Sequence, residues 1–255
     1  MAVNRSFAKN YDMGGGELFI RFTGEDNFRY FGATNAVKLN FKIDKLEHKN
    51  SESETVVTDL EVVKEVSAEV SFTTEDLNKD VLALAFGGDV VETTQSSGSA
   101  TVSFTAVGGG SVYELGKIKV SNVAVTYTDD DGNTAQAILD VDYSLNEEFG
   151  TIEIAKGGAI DGKDITVSFD YAATTKVEFT SLNNVSREVA LRFVGRNQVG
   201  HSKQTTIHRV ILTLNGDYNL KSSDNINSLS FNGKVLKDTT KPEGRQFVET
   251  VMVGA

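Results

Sequence analysis

The sequence predicts a mostly-β protein: two packed antiparallel sheets forming a sandwich or barrel, one flanking α-helix, and a small β-sandwich inserted mid-chain. Three observations predict it. Apolar and polar residues alternate with a period of two over many short runs, the signature of half-buried strands. One proline and 23 glycines suit many strands joined by glycine turns. Charge is unevenly spread along the 255 residues. Residues 1–88 carry 10 Lys/Arg and 15 Asp/Glu, residues 89–172 carry 4 and 14, and residues 173–255 carry 11 and 7. The stretch 89–172, at −10, differs in kind from its flanks at −5 and +4. It reads as an inserted acidic β domain, with 1–88 and 173–255 forming the β core.

The core is organised around residues 36–87. Val37, Leu39, Phe41 and Ile43 alternate with Lys38, Asn40 and Lys42, giving a strand with one apolar face. From Asp44 to Asp59 no apolar pattern is sustained, and the run is dense in charge and serine (KLEHKNSESETVVTD). It reads as a long polar loop. In the next strand Leu60, Val62, Val66, Ala68, Val70 and Phe72 point one way, and Glu61, Glu65, Ser67, Glu69 and Ser71 the other. Lys64 breaks the apolar row and suggests a local irregularity. Thr73 or Thr74 caps a helix at 75–86, with Asp76 completing a capping-box variant. Leu77, Val81, Leu84 and Ala85 form its buried stripe, and Gly87 ends it. A structureless loop of this length is uncommon in a compact domain unless it is functional or disordered. Two readings stand: an arm that orders on a partner, and a mobile surface excursion.

Residues 1–16 end in Gly14-Gly15-Gly16 and read as a flexible arm. Leu18, Phe19, Ile20 and Phe22 make a short strand, and Arg29–Gly32 leads into the strand beginning near Val37. In the insert, strands are expected at 100–107, 117–128, 151–154 and 165–170, and over Ala137, Leu139, Val141 and Tyr143, with turns at DDDGN (129–133) and IDGK (160–163). Later strands are expected at 176–180, 188–193, 206–214 and 246–253. Gly195–Thr205 reads as a basic loop, Asn215-Gly216 as a turn, and 226–238 as a hairpin about Asn232-Gly233.

Signatures of chemistry are sparse. The chain has no cysteine, which excludes disulfides, thiol nucleophiles and zinc–thiolate sites. His48, His201 and His208 lack partners at metal-ligand spacing. No nucleophile-elbow or phosphate-loop pattern occurs. Asp129–Asp131 before Gly132 lacks the alternating ligands and closing glutamate of a calcium loop, so it reads as a hairpin turn. Glu147-Glu148 reads as ordinary acidic surface, and the Asn184-Val185-Ser186 sequon has no meaning without secretion. The expectation is a protein without catalysis, cofactor or metal. No run approaches transmembrane length, and the start of the chain lacks the apolar stretch of a signal peptide, so synthesis in the cytoplasm and no membrane partner are expected. A net charge of −11 argues against ordinary nucleic-acid binding, which needs clustered Lys and Arg.

The run RYFGATNAVKLNFKIDKLEHKNSESETVVTDLEVVKEVSAEVSFTTEDLNKDVLALAFGG resembles the N-terminal half of the major tail tube protein of long-tailed bacteriophages. LGKIKVSNVAV, LDVDYSLNEEFGTIEI and GGAIDGKDITVSFDY look like the β insert found in some of these proteins. VALRFVGRNQVG and TIHRVILTLNGDYNL fit the C-terminal part. The resemblance covers nearly the whole chain and rests on β patterns. It implies a tail-tube-like core in a virion tail, assembling as homohexameric rings that stack into a tube through which DNA passes during ejection. It implies that sheets of neighbouring subunits join around the lumen and that the long loop reaches the next ring. Carried onto this sequence, that inter-ring loop is 44–59, including Asp44, Lys45, Leu46, Glu47, His48, Lys49 and Asp59. The lumen candidates are Glu61, Glu65, Glu69, Lys38 and Lys42. Implied partners are further copies, tail terminator, tape measure and baseplate-type proteins, and DNA in transit.

An acidic wall would repel phosphate and let DNA slide. The competing reading of the glutamates is a solvated face pairing with Lys38 and Lys42 across strands. Two other functions compete: a virion decoration or adhesin-like β binding module whose acidic insert carries recognition, and a β-rich hydrolase, for which no catalytic constellation is visible.

Overall fold

Period-two alternation becomes strands along most of the chain. The computed structural model describes residues 11, 13–51 and 55–253, and among them lie seventeen strands and one helix. They fall into two compact units. One comprises the described residues up to Val91 and those from Phe179 onward; the other is Glu92–Glu178. The chain crosses between them in strands β5 and β13, which pair with each other, so the charge-based bounds of 89 and 172 fall short of 92 and 178.

In chain order the first unit opens with β1 (Met13–Phe22), β2 (Arg29–Gly32), β3 (Thr34–Asn50), β4 (Val57–Thr74) and α1 (Lys79–Ala85), and the chain leaves it through β5 (Val90–Gln95). The second holds β6 (Gly98–Phe104), β7 (Val112–Glu114), β8 (Val120–Thr128), β9 (Thr134–Gln136), β10 (Tyr143–Asn146), β11 (Thr151–Ile154) and β12 (Ile165–Tyr171). The chain returns through β13 (Thr174–Phe179) to β14 (Glu188–Val199), β15 (Ser202–Leu214), β16 (Leu229–Val235) and β17 (Val248–Val253).

The first unit is one antiparallel path, β2-β1-β14-β15-β16-β4-β3, with β17 also beside β15. The path folds back over its own core. Phe31 of β2, at one end, lies 5.3 Å edge-on from Phe72 of β4, near the other. Phe231 of β16 stacks on Phe72 at 5.5 Å and meets Phe31 edge-on at 6.1 Å. Leu18, Ile20, Val70, Leu191 and Val210 surround these rings, and Val81 and Leu84 of α1 close the side. Apolar burial of this kind is the main stabilising term of the unit.

The helix starts four residues later than 75. Its N-cap is Asn78, whose Oδ1 accepts from the Asp80 and Val81 amides at 3.1 Å and whose Nδ2 donates to the Phe31 carbonyl at 2.8 Å. Thr74 instead ends β4, donating to the Ala33 carbonyl. Thr74 also accepts from the Asp76 amide at 3.2 Å as a cap would, but the helix begins only after Asn78, and Thr73 meets the Ser230 hydroxyl across the strand.

Three other expectations are corrected. Gly14-Gly15-Gly16 is part of β1, paired with Asn197, Arg196 and Gly195. A Cβ on Gly16 would sit 2.3 Å from the Phe193 ring, so glycine here permits close approach rather than flexibility. Gly195–Thr205 is the end of β14 and the start of β15. No hairpin forms at Asn232-Gly233, because β16 runs straight through between β15 and β4, and Gly233 leaves room for Val210 and Leu212. The joint after the helix is equally tight: a Cβ on Gly88 would lie 1.8 Å from the Thr180 carbonyl oxygen. Gly88→Ala is expected to destabilise the protein by at least about 1–3 kcal/mol, read as a lowered denaturant midpoint with unchanged slope; an unchanged midpoint would show that this joint yields freely.

The second unit is a small sandwich. Sheets β6-β12-β8-β9 and β10-β11-β7 share a core of Val125, Ile152, Ile154, Ile165, Val167 and Phe169. The DDDGN run is a hairpin turn, with Asp129 Oδ1 accepting from the Asp131 and Asn133 amides. The strand expected over Ala137–Tyr143 is instead a turn between β9 and β10. The buried carboxylate of Asp142 holds it by accepting from the Ile138 and Ala159 amides at 2.8 and 2.9 Å, and Ile138, Leu139 and Val141 project into solvent.

Candidate functional site

The 44–59 loop does not exist as a loop. β3 and β4 continue as a paired hairpin out to Asn50–Val57. Every described residue at 41–49 and 55–66 is exposed. The hairpin leaves the core after Ala68 and projects nine further residue pairs' worth of chain, roughly 30 Å, into solvent. The run resembled a loop because a strand wet on both faces needs no apolar alternation.

Lys64 is the irregularity anticipated in the sequence. Asp44 pairs with Glu65 and Lys45 with Val63, so Lys64 is the extra residue of a bulge. One extra residue reverses which face each later side chain occupies. Before the bulge, Phe41 and Ile43 sit opposite Ala68 and Val66, continuing the core face outward. Beyond it, Leu46 and His48, opposite Val62 and Leu60, lie on the other face. Leu60 and Val62 therefore do not share a face with Val66, as strict alternation would have it. Apolar side chains protrude on both faces of the arm; Phe41 is 60% exposed and Leu46 64%.

The bulge also separates the lumen candidates. Glu65 and Glu69 share a face with Lys38 and Lys42, whereas Glu61 and Lys45 lie on the opposite one. Lys42 Nζ donates to Glu69 at 2.9 Å and Lys45 Nζ to Glu61 at 2.5 Å. Glu61 raises the Lys45 pKa above its ordinary value by this hydrogen bond and by charge. Lys38 stands opposite Ser71, and Glu47 opposite Glu61. Lys64 lies 3.9 Å from Asp44, whose cross-strand neighbour is Glu65. His48 Nδ1 lies 2.6 Å from Asp59 Oδ1, and Lys49 stands opposite Thr58. The arm is thus laced by exposed cross-strand polar contacts and ion pairs, which water and salt screen to little net weight. The glutamates do not form an unbroken negative row.

Among the described residues β3 is the last strand of the path, and β4 pairs with β3 alone over 57–67. Neither long edge of the arm is thus covered by a third described strand, which leaves edge-strand backbone groups open to pairing. The signal that could have revealed this was length: strands of 17 and 18 residues exceed what a core of this size covers.

Elsewhere in this unit a cleft of about 720 Å³ is lined by Phe22, Arg29, Asp80, Asp89 and Arg187 among others. Its charges are compensated: Arg29 pairs with Asp80 at 3.1 Å and Glu25 at 3.2 Å, and Arg187 with Asp89. Among the described residues no group of three His, Asp or Glu is placed to hold a metal ion, and no helix is long and apolar enough to cross a membrane.

The fold and the arm define a mostly-β protein with a bipartite core, an inserted sandwich and a projecting hairpin. The family described as "Protein of unknown function UCP028589" matches over residues 11–249, and the chain belongs to it. No curated protein matches the chain.

Proposed function

We propose that the chain is a structural subunit of a bacteriophage tail tube, assembling without catalysis as stacked hexameric rings around a channel for DNA. The observation that carries this reading is the arm, exposed on both faces, apolar on both, and open along both edges. In an isolated monomer such a surface invites association. In an open-ended stack of identical subunits it becomes the contact between copies. The resemblance of residues 29–88 to tail tube proteins supports the same assignment of the arm. Residues 34–74 carry five Lys and eight Asp/Glu, a net −3 that favours passage of DNA over binding. On this reading the acidic insert decorates the assembly and limits lateral clumping, and tail terminator, tape measure and baseplate-type proteins are the further partners.

The second reading, a virion decoration or adhesin-like module, draws on the turn at 138–142, tied by the Asp142 carboxylate, with its three exposed aliphatic residues. Electron microscopy and light scattering of the purified chain separate the two. Rings or tubes with a central channel are expected. A strictly monomeric species at high concentration overturns the tube reading.

A further inference from the structure

Between Ile207 and Val210 the strand beside β15 changes. Ile207 pairs with Val248 of β17, whereas Val210 pairs with Val235 of β16. On its other side the ladder with β14 steps from Val189–Val210 to Leu191–Ile207, leaving Ala190 opposite both His208 and Arg209. This bulge turns both side chains into the fork where β16 and β17 diverge. The segment 236–247 links the two branches. The His208 amide donates to the Phe247 carbonyl at 3.5 Å, and the Arg209 carbonyl accepts from Leu236 at 2.8 Å.

The two side chains fare differently. Arg209 is fully engaged, bidentate on Glu188 at 2.8 and 2.9 Å and donating to the Lys237 carbonyl. The His208 side chain is nine-tenths buried, and its Nε2 has no hydrogen-bond partner among the described residues. A cavity of about 300 Å³ lies against it, walled also by Arg21, Glu25 and Asp238. A carboxylate oxygen of Glu249 on β17 stands 3.9 Å away, while Glu249 is itself held by Arg245 at 3.0 Å. A neutral imidazole tolerates this position; an imidazolium here is a buried charge without a hydrogen-bonded partner.

We propose that His208 is an acid-sensitive latch at the fork: neutral, it lets β17 lie against β15; protonated, it loosens β17 and the segment 236–247. The proposal is independent of the tube reading. The charges facing the ring are mixed. Burial holds its pKa below the ordinary 6.5, Lys241 and Arg21 push the same way, and Asp238 and Glu249 oppose them. Glu188 is committed to Arg209. The closed fork therefore takes up a proton at lower pH than the open one. The stability contributed by this group is complete above about pH 6.5 and is lost as pH falls below that value. β17 responds first because among the described strands it pairs only with β15 and exposes Val251, Met252 and Val253, whereas β16 is flanked on both sides.

Hydrogen exchange on the full chain at pH 7.5 and 5.5, corrected for intrinsic rates, tests this. Amides of β17 are expected to lose protection at pH 5.5 by up to about tenfold per pH unit below 6.5, the limit set by one proton, while β16 holds. In His208→Gln the acid response of β17 disappears. Equal β17 protection at both pH values in the natural chain, or an undiminished response in the variant, overturns the latch. Should the variant fold poorly, the imidazole titration of the natural chain followed by NMR decides. A midpoint below 6.5 supports the latch, and one at or above 6.5 overturns it.

Discussion

Replacing residues 45–64 by Asn-Gly is expected to yield a protein that folds but, on the proposed function, does not stack. Asp44 and Glu65 are a cross-strand pair, and a two-residue type I′ loop closes such a pair without splaying the strands. Every described residue removed is exposed apart from the half-buried Asn50 near the hairpin end, so the core loses no buried side chain. Exposed substitutions of this kind change stability by about 0.5 kcal/mol or less, or roughly 1–2 °C in Tm for a chain of this size. The cost falls on assembly. The truncation deletes Leu46, Leu60, Val62 and Val63 and both free edges beyond the bulge. If the proposed stacking is right, electron micrographs and sedimentation are expected to show tubes for the natural chain and single rings or smaller species for the truncated one. Normal polymerisation of the truncated chain would remove the arm from the inter-ring contact.

That 44–59 is unusual was legible in the sequence; that it is a paired hairpin was not. The mismatch of two long strands and an unpatterned stretch pointed to 44–59. The same composition, KLEHKNSESETVVTD, serves equally for a loop and for a hairpin wet on both faces, because neither has a buried side to impose a period. Lys64 was visible as a break in the apolar row, yet only the pairing shows that the break is an inserted residue. That single residue puts Glu61 on the face opposite Glu65 and Glu69. The core read more faithfully. Leu18, Ile20, Val70, Phe72, Val189 and Leu191 are buried as their alternation requires. Glycine misled where its reason was distant in sequence. Gly16 is small for Phe193, and Gly233 for Val210 and Leu212. Neither partner is visible to a local turn rule.

The contrast between core and arm can be measured with one substitution made twice. Phe231 and Phe41 belong to the same eight-stranded sheet, Phe231 on β16, two strands in from the edge, and Phe41 on the edge strand β3 itself. Phe231 is fully buried, stacked on Phe72 and edge-on to Phe31. Removing its ring opens a void where the two ends of the path meet over the core, and neighbours in three strands lose contacts at once. Phe231→Ala is therefore expected to cost about 3–5 kcal/mol, a large part of the stability of a typical domain, with aromatic pairing adding to the loss of buried area. Phe41 is 60% exposed, and Phe41→Ala is expected to change unfolding by about 0.5 kcal/mol or less while weakening self-association. Denaturant midpoints for the two variants, set beside their sedimentation profiles, should therefore move in opposite order. If Phe41→Ala proves the more destabilising of the two in the isolated chain, the arm is packed in solution and its role as a free contact surface fails.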